Sequence, residues 1–193
     1  MFTETINNIQ LTFETADTVF SPHGLDAGTL AMLSAVDLTP DDKLLDLGCG
    51  YGAVGIYSAK LIGEKNVVMS DVDDVCVELS MRNSALNGLN DMKIIQSDGF
   101  DNIEDNDFTL ILSNPPYHTD FSVPKRIIEK GFNRLKIGGK MYMVTKRKDW
   151  YMKKLTAIFG GVRIMEINEY YIFSAEKRST QYANTSISKK GRN

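Results

Sequence analysis

Cysteine, histidine and long apolar runs are scarce in this chain. Its 193 residues include two cysteines and two histidines, and no stretch approaches the roughly 18 apolar residues of a membrane span. The first residues lack the charged-then-apolar pattern of a signal peptide. Cys49 and Cys76 fit a reducing compartment and predict no disulfide, and the two histidines lack the spacing of zinc ligands. Together these absences predict a cytoplasmic protein that binds no metal.

The length suits one domain with a substantial core, and a hydrophobic content of 42% is ordinary for a globular protein. We expect an N-terminal extension with a strand and a helix, packed on the core, over residues 1–40. The main domain is predicted over residues 41–176. Residues 177–193 are polar and basic and predict a mobile tail.

Charge is divided unequally along the chain. Residues 1–113 carry 19 acidic and 5 basic side chains, and residues 114–193 carry 6 acidic and 17 basic ones. The two parts therefore have net charges of −14 and +11, which together give the −3 of the whole chain. A basic half favours a polyanionic partner such as nucleic acid, although lysines that merely solvate helix faces are the alternative.

From residue 43 onward, short apolar runs alternate with amphipathic segments, which is typical of an α/β protein with a mostly parallel sheet. Strands are predicted at residues 43–47, 67–70, 92–96, 108–113, 141–145, 162–167 and 170–175. Helices are predicted at residues 53–62, 75–86, 125–135 and 150–159. Asn168-Glu169 leaves room only for a tight turn, so the last two strands should form a hairpin. Earlier in the chain, residues 11–15 alternate and residues 27–36 predict a helix.

A glycine-rich loop follows the first of these strands. Gly48-x-Gly50-x-x-Ala53 and Gly50-x-Gly52-x-x-Gly55 both satisfy the dinucleotide-binding fingerprint, which does not by itself distinguish NAD from another adenosine cofactor. Asp71 ends the next strand, where a carboxylate accepts ribose hydroxyls, and Asp98 follows the third strand, near the expected adenine edge. The alternative roles are a helix N-cap for Asp71 and an Asx-turn for Asp98.

Asp46 discriminates between the possible cofactors. Burying a carboxylate near the end of a buried strand costs free energy unless the charge is paired. S-adenosylmethionine offers a sulfonium and an ammonium group, whereas NAD would place phosphates there. The alternative is that Asp46 caps loop amides. The residues predicted to bind S-adenosylmethionine are Asp46, Gly48, Cys49, Gly50, Gly52, Asp71, Val72, Asp98, Gly99 and Asn114.

The tetrapeptide at residues 114–117 ends an apolar strand with chemistry suited to a planar amine. The Asn114 side-chain oxygen and the Pro115 carbonyl can accept both hydrogens of an NH2 group. Pro116 holds the turn, and the ring of Tyr117 offers a face for stacking. The alternative is a Pro-rich turn with no chemistry. We interpret these four residues as the catalytic cradle.

These residues resemble the class I S-adenosylmethionine-dependent methyltransferases over about residues 18–176. Within that class the chain is similar to the small-domain (MTS) group, through Val-Phe-Ser at residues 19–21, Leu-Asp-Ala-Gly-Thr at 25–29 and Ser-Asn-Pro-Pro-Tyr-His at 113–118. The resemblance implies a Rossmann-like three-layer sandwich whose seven-stranded sheet has one antiparallel strand in its edge region. It also implies that residues 20–29 border the cofactor. Members typically have Phe where this chain has Tyr117, and often carry a second methyltransferase-like domain.

The best known members of this group methylate guanine N2 in ribosomal RNA, which makes RNA the expected partner. The residues predicted to bind substrate are Tyr117, His118, Lys146 and Arg147. Lys146 and Arg147 are included because they belong to a basic run that leaves a strand at the same sheet edge, where it could hold phosphates. The alternatives are methylation of protein glutamine N5, methylation of DNA adenine N6, and a non-catalytic module that binds an adenosyl ligand or RNA. The sequence leaves the choice between monomer and homodimer open.

Overall fold

The computed structural model describes residues 1–115 and 120–183. A hairpin of β1 (Phe2–Ile6) and β2 (Ile9–Phe13) opens the chain. Seven further strands form one sheet: β3 (Leu44–Leu47), β4 (Val67–Asp71), β5 (Lys93–Gln96), β6 (Phe108–Ser113), β7 (Leu135–Thr145), β8 (Arg163–Ile167) and β9 (Tyr170–Glu176). Their order across the sheet is β5-β4-β3-β6-β7-β9-β8. All neighbouring pairs are parallel except those of β9, which runs antiparallel to both β7 and β8. The predicted mostly parallel sheet is confirmed, and its reversed strand lies next to the edge strand.

Helices cover both faces of this sheet. They are α1 (Ala27–Ala35), α2 (Ala53–Ile62), α3 (Asp74–Leu86), α4 (Ser122–Arg134) and α5 (Lys148–Phe159), with a 3-10 turn at Glu64–Asn66. The first three helices share one buried cluster, and the last two share another. Leu44 packs in the first cluster and Leu45 in the second, because successive side chains of a strand point to opposite faces. The three-layer sandwich is therefore confirmed. The longest described helices have 13 residues, too few for the roughly 20 that cross a bilayer.

The turn between β8 and β9 has the predicted form. Asn168 and Glu169 have φ values of 49° and 66°. Two central residues with positive φ define a type I′ turn, which matches the twist of a two-residue hairpin. The hairpin prediction is confirmed by the pairing of Ile167 with Tyr170.

The strand predicted at residues 141–145 is wrong at its beginning. The described strand starts at Leu135 and includes Gly138-Gly139, which precede the predicted strand. Gly138 has a φ of 84°, and the pairing with β6 shifts register there. Backbone hydrogen bonds between this glycine pair and Lys177 hold the irregular stretch in the sheet.

The N-terminal hairpin is held by two asparagine side chains, Asn83 of α3 and Asn87 at the C-cap of that helix. The Asn87 amide accepts from Thr12 N at 3.1 Å and donates to Thr12 O at 2.8 Å. The Asn83 amide accepts from Glu14 N at 2.7 Å and donates to Glu14 O at 2.9 Å. Asn83 Nδ2 also donates to Tyr51 O at 2.8 Å, in the glycine-rich loop. The sequence predicted only the second strand of this hairpin.

The beginning of the predicted mobile tail is packed on the domain. Lys177 is buried, and its Nζ donates to Leu135 O at 2.6 Å. The Tyr182 hydroxyl donates to Glu129 O at 3.0 Å, and its ring contacts Phe132 edge-on. The polar segment is thus anchored at least as far as Tyr182.

Candidate active site

The carboxyl ends of five parallel strands bring the predicted site residues to one edge of the sheet. Strand β3 is central; the chain proceeds to β4 and β5 on one side and returns to β6 and β7 on the other. The crevice between β3 and β6 is therefore the topological switch point, where open α/β sheets bind ligands. Asp46 pairs with Leu112 across this boundary, so Asn114 lies just beyond Asp46 on the neighbouring strand.

The glycine-rich loop has the conformation that its composition predicts. Gly48, Gly50 and Gly52 have φ values of 75°, 55° and 95°, which residues with a Cβ rarely adopt. The amides of Gly48 and Cys49 both donate to Ser70 O, which ties the loop to β4. Gly52 is the N-cap of α2, where it packs against Ile56 and Ser80. It thus shapes the loop but does not line the cavities described below.

Gly55 allows α2 to approach the sheet closely. A Cβ at this position would lie 2.2 Å from Met69 Sδ and 2.3 Å from its Cγ. We expect Gly55→Ala to lower the free energy of unfolding by about 1–3 kcal/mol, because an added methyl overpacks this interface. Chemical denaturation measures the change. Gly24→Ala is the matched control, since its Cβ would have no described atom within 4 Å; equal stability of the two variants would contradict the packing argument.

Asp46 is the buried carboxylate of the site. Its side chain is 2% exposed, and Oδ2 accepts from Gly55 N at 2.8 Å. Desolvation raises the pKa of this carboxyl from 3.8 to about 7, against the hydrogen bond from Gly55, which lowers it. Asp46 thus caps an amide in the first turn of α2, whereas the alternative prediction had it cap amides of the loop. A single amide leaves most of the desolvation unbalanced, so a cation in the adjoining cavity would stabilise the ionised form.

Asp71 is oriented by the glycine-rich loop. Its Oδ2 accepts from Gly50 N at 2.8 Å and its Oδ1 accepts from Asp73 N at 3.1 Å. The alternative prediction, that Asp71 caps the next helix, is wrong, because Asp73 is the N-cap of α3 and accepts from Val75 N at 2.9 Å. Asp71 remains directed towards the crevice and borders both of its cavities.

Two cavities of about 260 and 270 Å3 adjoin each other along this edge, with Gly48 and Asp71 in the wall of both. Predicted residues that line the first cavity are Asp46, Gly48, Cys49, Gly50, Asp71, Asn114 and Pro115. Predicted residues that line the second are Gly48, Asp71, Val72, Asp98 and Gly99. Together they form one elongated, two-part crevice.

Asp98 forms a salt bridge with Arg126, a pairing that the sequence did not predict. Arg126 Nη1 lies 2.9 Å from Asp98 Oδ2, and Nη2 donates to Asp98 O at 2.6 Å. This bridge across the second cavity replaces the Asx-turn that was the alternative for Asp98. Arg126 also pairs with Asp101, which Lys130 contacts in turn. Ion pairs between the acidic and basic halves thus account for part of the charge division.

Asn114 has a fully determined side-chain orientation. Its Nδ2 donates to Asp26 Oδ2 at 2.9 Å and to Thr29 Oγ1 at 3.1 Å. Its Oδ1 is buried and has no hydrogen-bond partner among residues 1–115 and 120–183. Both amide hydrogens are therefore used, and an unpaired acceptor is left on a residue that lines the first cavity together with Pro115. Pro116, Tyr117 and His118 lie outside the described residues.

The basic residues predicted to bind substrate lie at the same sheet edge but outside both cavities. Lys146 Nζ lies 4.9 Å from the centre of the Tyr170 ring, and Arg147 Cζ lies 5.2 Å from that of Phe121. Phe121 stacks on Trp150 with 4.4 Å between ring centres. The sequence predicted the cations but not the aromatic rings beside them.

Two further segments complete the walls of the first cavity. Thr18, Val19 and Phe20 line it, and the Phe20 ring is 54% exposed. Asp26 and Thr29 line it from the start of α1. The resemblance had implied that residues 20–29 border the cofactor. The sequence did not predict the hydrogen bonds of Asp26 and Thr29 to Asn114, because the helix-capping pattern at Asp26 carries no information about a partner 88 residues away.

Comparison with known proteins agrees with this geometry. The methyltransferase small domain family matches residues 10–174. The chain belongs to this family. Similar proteins include an uncharacterised protein, YbxB of Bacillus subtilis, which is 33% identical over 178 residues, or 89% of each chain. The ribosomal RNA small subunit methyltransferase C of Serratia proteamaculans is 33% identical over 162 residues, which are 82% of this chain and 46% of that protein.

A solved structure extends the likeness to three dimensions. The 16S rRNA N2 G1207 methyltransferase RsmC of Thermus thermophilus, solved with AdoMet and guanosine, superposes with a TM-score of 0.84 at 29% identity. The match covers 92% of this chain and 50% of that one. The chain thus spans about half the length of the rRNA methyltransferases that it resembles.

Proposed function

We propose that this protein is an S-adenosylmethionine-dependent methyltransferase that modifies guanine N2 in ribosomal RNA. The observation that carries the proposal is the Asn114 amide, whose Oδ1 is a buried acceptor without a partner among the described residues. Asn114 lines a cavity whose wall includes the carboxylates of Asp46 and Asp71. Membership of the methyltransferase small domain family supports the reaction class, and the likeness to the rRNA methyltransferases supports the substrate.

The residues of the two-part crevice fit the cofactor. The buried Asp46 carboxylate suits its cationic methionine part, and glycines 48 and 50 allow the backbone to approach it closely. Asp71 suits the ribose hydroxyls, and Val72, Asp98 and Gly99 suit the adenine. When bound, S-adenosylmethionine supplies an electrophilic methyl group on a sulfonium.

The residues after β6 suit the target amine. Asn114 Oδ1 and the Pro115 carbonyl would accept the two amine hydrogens and direct the nitrogen lone pair towards the methyl group. The amine becomes acidic only after it is alkylated, so a dedicated strong base is not needed. Pro116 and Tyr117 complete the proposed cradle, with the base stacked on the Tyr117 ring after it leaves its helix.

The basic surface beside the site suits an RNA backbone. Lys146 and Arg147 follow β7 at the edge that also presents Asp46 and Asn114, so they would hold phosphates next to the target base. His118 is the further proposed contact. A ribosomal RNA substrate also agrees with the predicted cytoplasmic location.

Transfer of labelled methyl groups to separate pools tests the proposal. The protein is incubated with radiolabelled S-adenosylmethionine and ribosomal RNA, DNA or protein, and RNA is digested to identify the modified nucleoside. We expect label in RNA as N2-methylguanosine. Label in protein alone would indicate the glutamine reaction, label in DNA the adenine reaction, and either would refute the RNA proposal.

A further inference from the structure

We propose that Asp26 is a positioning residue, which fixes the Asn114 amide so that its oxygen faces the target amine. The inference rests on the proposed function, because the orientation matters for catalysis only if a target amine binds at the Asn114 oxygen. The orientation itself rests on the hydrogen bonds at the start of α1.

The contacts around Asp26 specify which end of the Asn114 amide is left without a partner for the target amine. A carboxylate accepts hydrogen bonds and donates none. Asp26 Oδ2 lies 2.9 Å from Asn114 Nδ2, so a flipped amide would place two acceptor oxygens against each other. Such a flip would also direct an NH2 group at the incoming amine, where both partners are donors. Asp26 therefore selects the productive orientation and opposes the unproductive one.

Two hydrogen bonds hold Asp26 in place, and Gly28 makes room for one of them. Its Oδ2 accepts from Thr29 N at 2.9 Å as the N-cap of α1. Its Oδ1 accepts from the Tyr170 hydroxyl of β9 at 3.3 Å. Gly28 makes room for that ring, because a Cβ there would lie 2.6 Å from Tyr170 Cε1 and 2.9 Å from Asp26 Oδ2.

Thr29 supports the same orientation less strongly. Its Oγ1 accepts from Asn114 Nδ2 at 3.1 Å, but a hydroxyl can also donate. A flipped amide could therefore still bond to Thr29. Only the carboxylate of Asp26 is restricted to accepting, which makes it the discriminating partner.

Asp26→Asn is the sharpest variant, because it preserves the size of the side chain and an oxygen that can cap Thr29 N. Its oxygen could accept from Asn114 Nδ2, or its new NH2 group could donate to Asn114 Oδ1, so the orientation would no longer be selected. We expect kcat to fall by about 10–100-fold, since a donor aimed at the amine replaces an acceptor, while the cofactor Kd and the KM for RNA stay within about threefold. Asp42→Asn is the matched control. Asp42 accepts from Thr39 in a turn remote from the site, and its variant should keep native kinetics.

A double-mutant cycle separates positioning from a general structural role. If Asp26 acts through Asn114, Asp26→Asn should change single-turnover methyl transfer by less than about threefold in an Asn114→Ala background. Additive losses, an unchanged kcat in the single variant, or a cofactor Kd that rises as steeply as kcat falls would each overturn the inference.

Amide hydrogen exchange tests the orientation without any reaction. In ¹⁵N-labelled protein, the two Nδ2 hydrogens of Asn114 should exchange with solvent at least about tenfold more slowly than those of the exposed Asn90, and Asp26→Asn should remove most of that difference. Exchange of Asn114 at the rate of Asn90 in the native protein would refute the inference. An active protein with unprotected Asn114 would leave the proposed function intact, whereas protected Asn114 without methyl transfer would count against the function alone.

Discussion

Asn114→Ala is expected to lower the rate of methyl transfer by about 10²–10³-fold, the usual loss when one polar group of a preorganised catalytic site is removed. The variant loses the buried Oδ1 acceptor at the first cavity. It also leaves Asp26 and Thr29 without the amide hydrogens that they accept, at a cost of about 1–3 kcal/mol in stability. Single-turnover transfer to RNA measures the rate, and urea denaturation measures the stability.

Cofactor binding should survive this change. Asp46, Asp71 and the glycine-rich loop are untouched, so the Kd for S-adenosylmethionine measured by calorimetry should stay within a few-fold of the native value. Asn90→Ala is the control for replacing an exposed asparagine away from the crevice. A fully active Asn114→Ala protein would refute the amine cradle.

Asp46→Asn is expected to weaken cofactor binding by about 100-fold, because it removes a buried charge that pairs with a cationic ligand and such pairs contribute roughly 2–5 kcal/mol. The asparagine oxygen can still accept from Gly55 N, which now bonds Asp46 Oδ2. The loop should therefore retain its shape. Calorimetry with S-adenosylmethionine measures the loss, and unchanged affinity would show that Asp46 only caps the first turn of α2.

The same variant should be more stable than the native protein. Burial raises the pKa of Asp46 from 3.8 to about 7. Below pH 3.8 the carboxyl is protonated in both the folded and the unfolded chain, so it carries no charge penalty. As the pH rises from 3.8 towards 7, the unfolded chain loses the proton before the folded one does. The free energy of unfolding of the native protein therefore falls, by up to about 4 kcal/mol in all, and this loss stays constant at higher pH.

Urea denaturation at pH 5 and pH 8 tests this dependence. Asp46→Asn has no carboxyl to ionise at this position, so its stability advantage over the native protein should be larger at pH 8 than at pH 5. An equal difference at the two pH values would contradict the raised pKa of Asp46. We therefore expect Asp46→Asn to be more stable than the native protein while it binds the cofactor more weakly. Many functional sites retain a destabilising group in this way because binding requires it.

Most of the sheet could be predicted from the sequence because its signals are local. Helix α2 and strand β6 have the predicted bounds, 53–62 and 108–113, since glycine and polar residues delimit clear apolar patterns there. The error at Gly138-Gly139 has a non-local cause. These glycines remain in β7 because their backbone bonds to Lys177, which follows the last strand.

The candidate site was predictable as far as strand ends determine it. Asp46, Asp71 and Asn114 meet because parallel strands bring their carboxyl ends to one edge. The contacts of Asp26 with Asn114, and of Asp98 with Arg126, join residues 88 and 28 positions apart. No spacing rule in a single sequence identifies such pairs, and they depend on how α1 and α4 pack on the sheet.

The asparagine pair of α3 protects an otherwise exposed sheet edge. Asn87 and Asn83 donate to and accept from Thr12 of β2 and Glu14 just after it, two alternate residues, as a neighbouring strand would. A free edge is a template on which another chain can add a strand, and side-chain amides at this spacing satisfy its backbone groups instead. The hairpin is thereby shielded against domain swapping and fibrillar association on this side, without a lysine or proline on the strand itself.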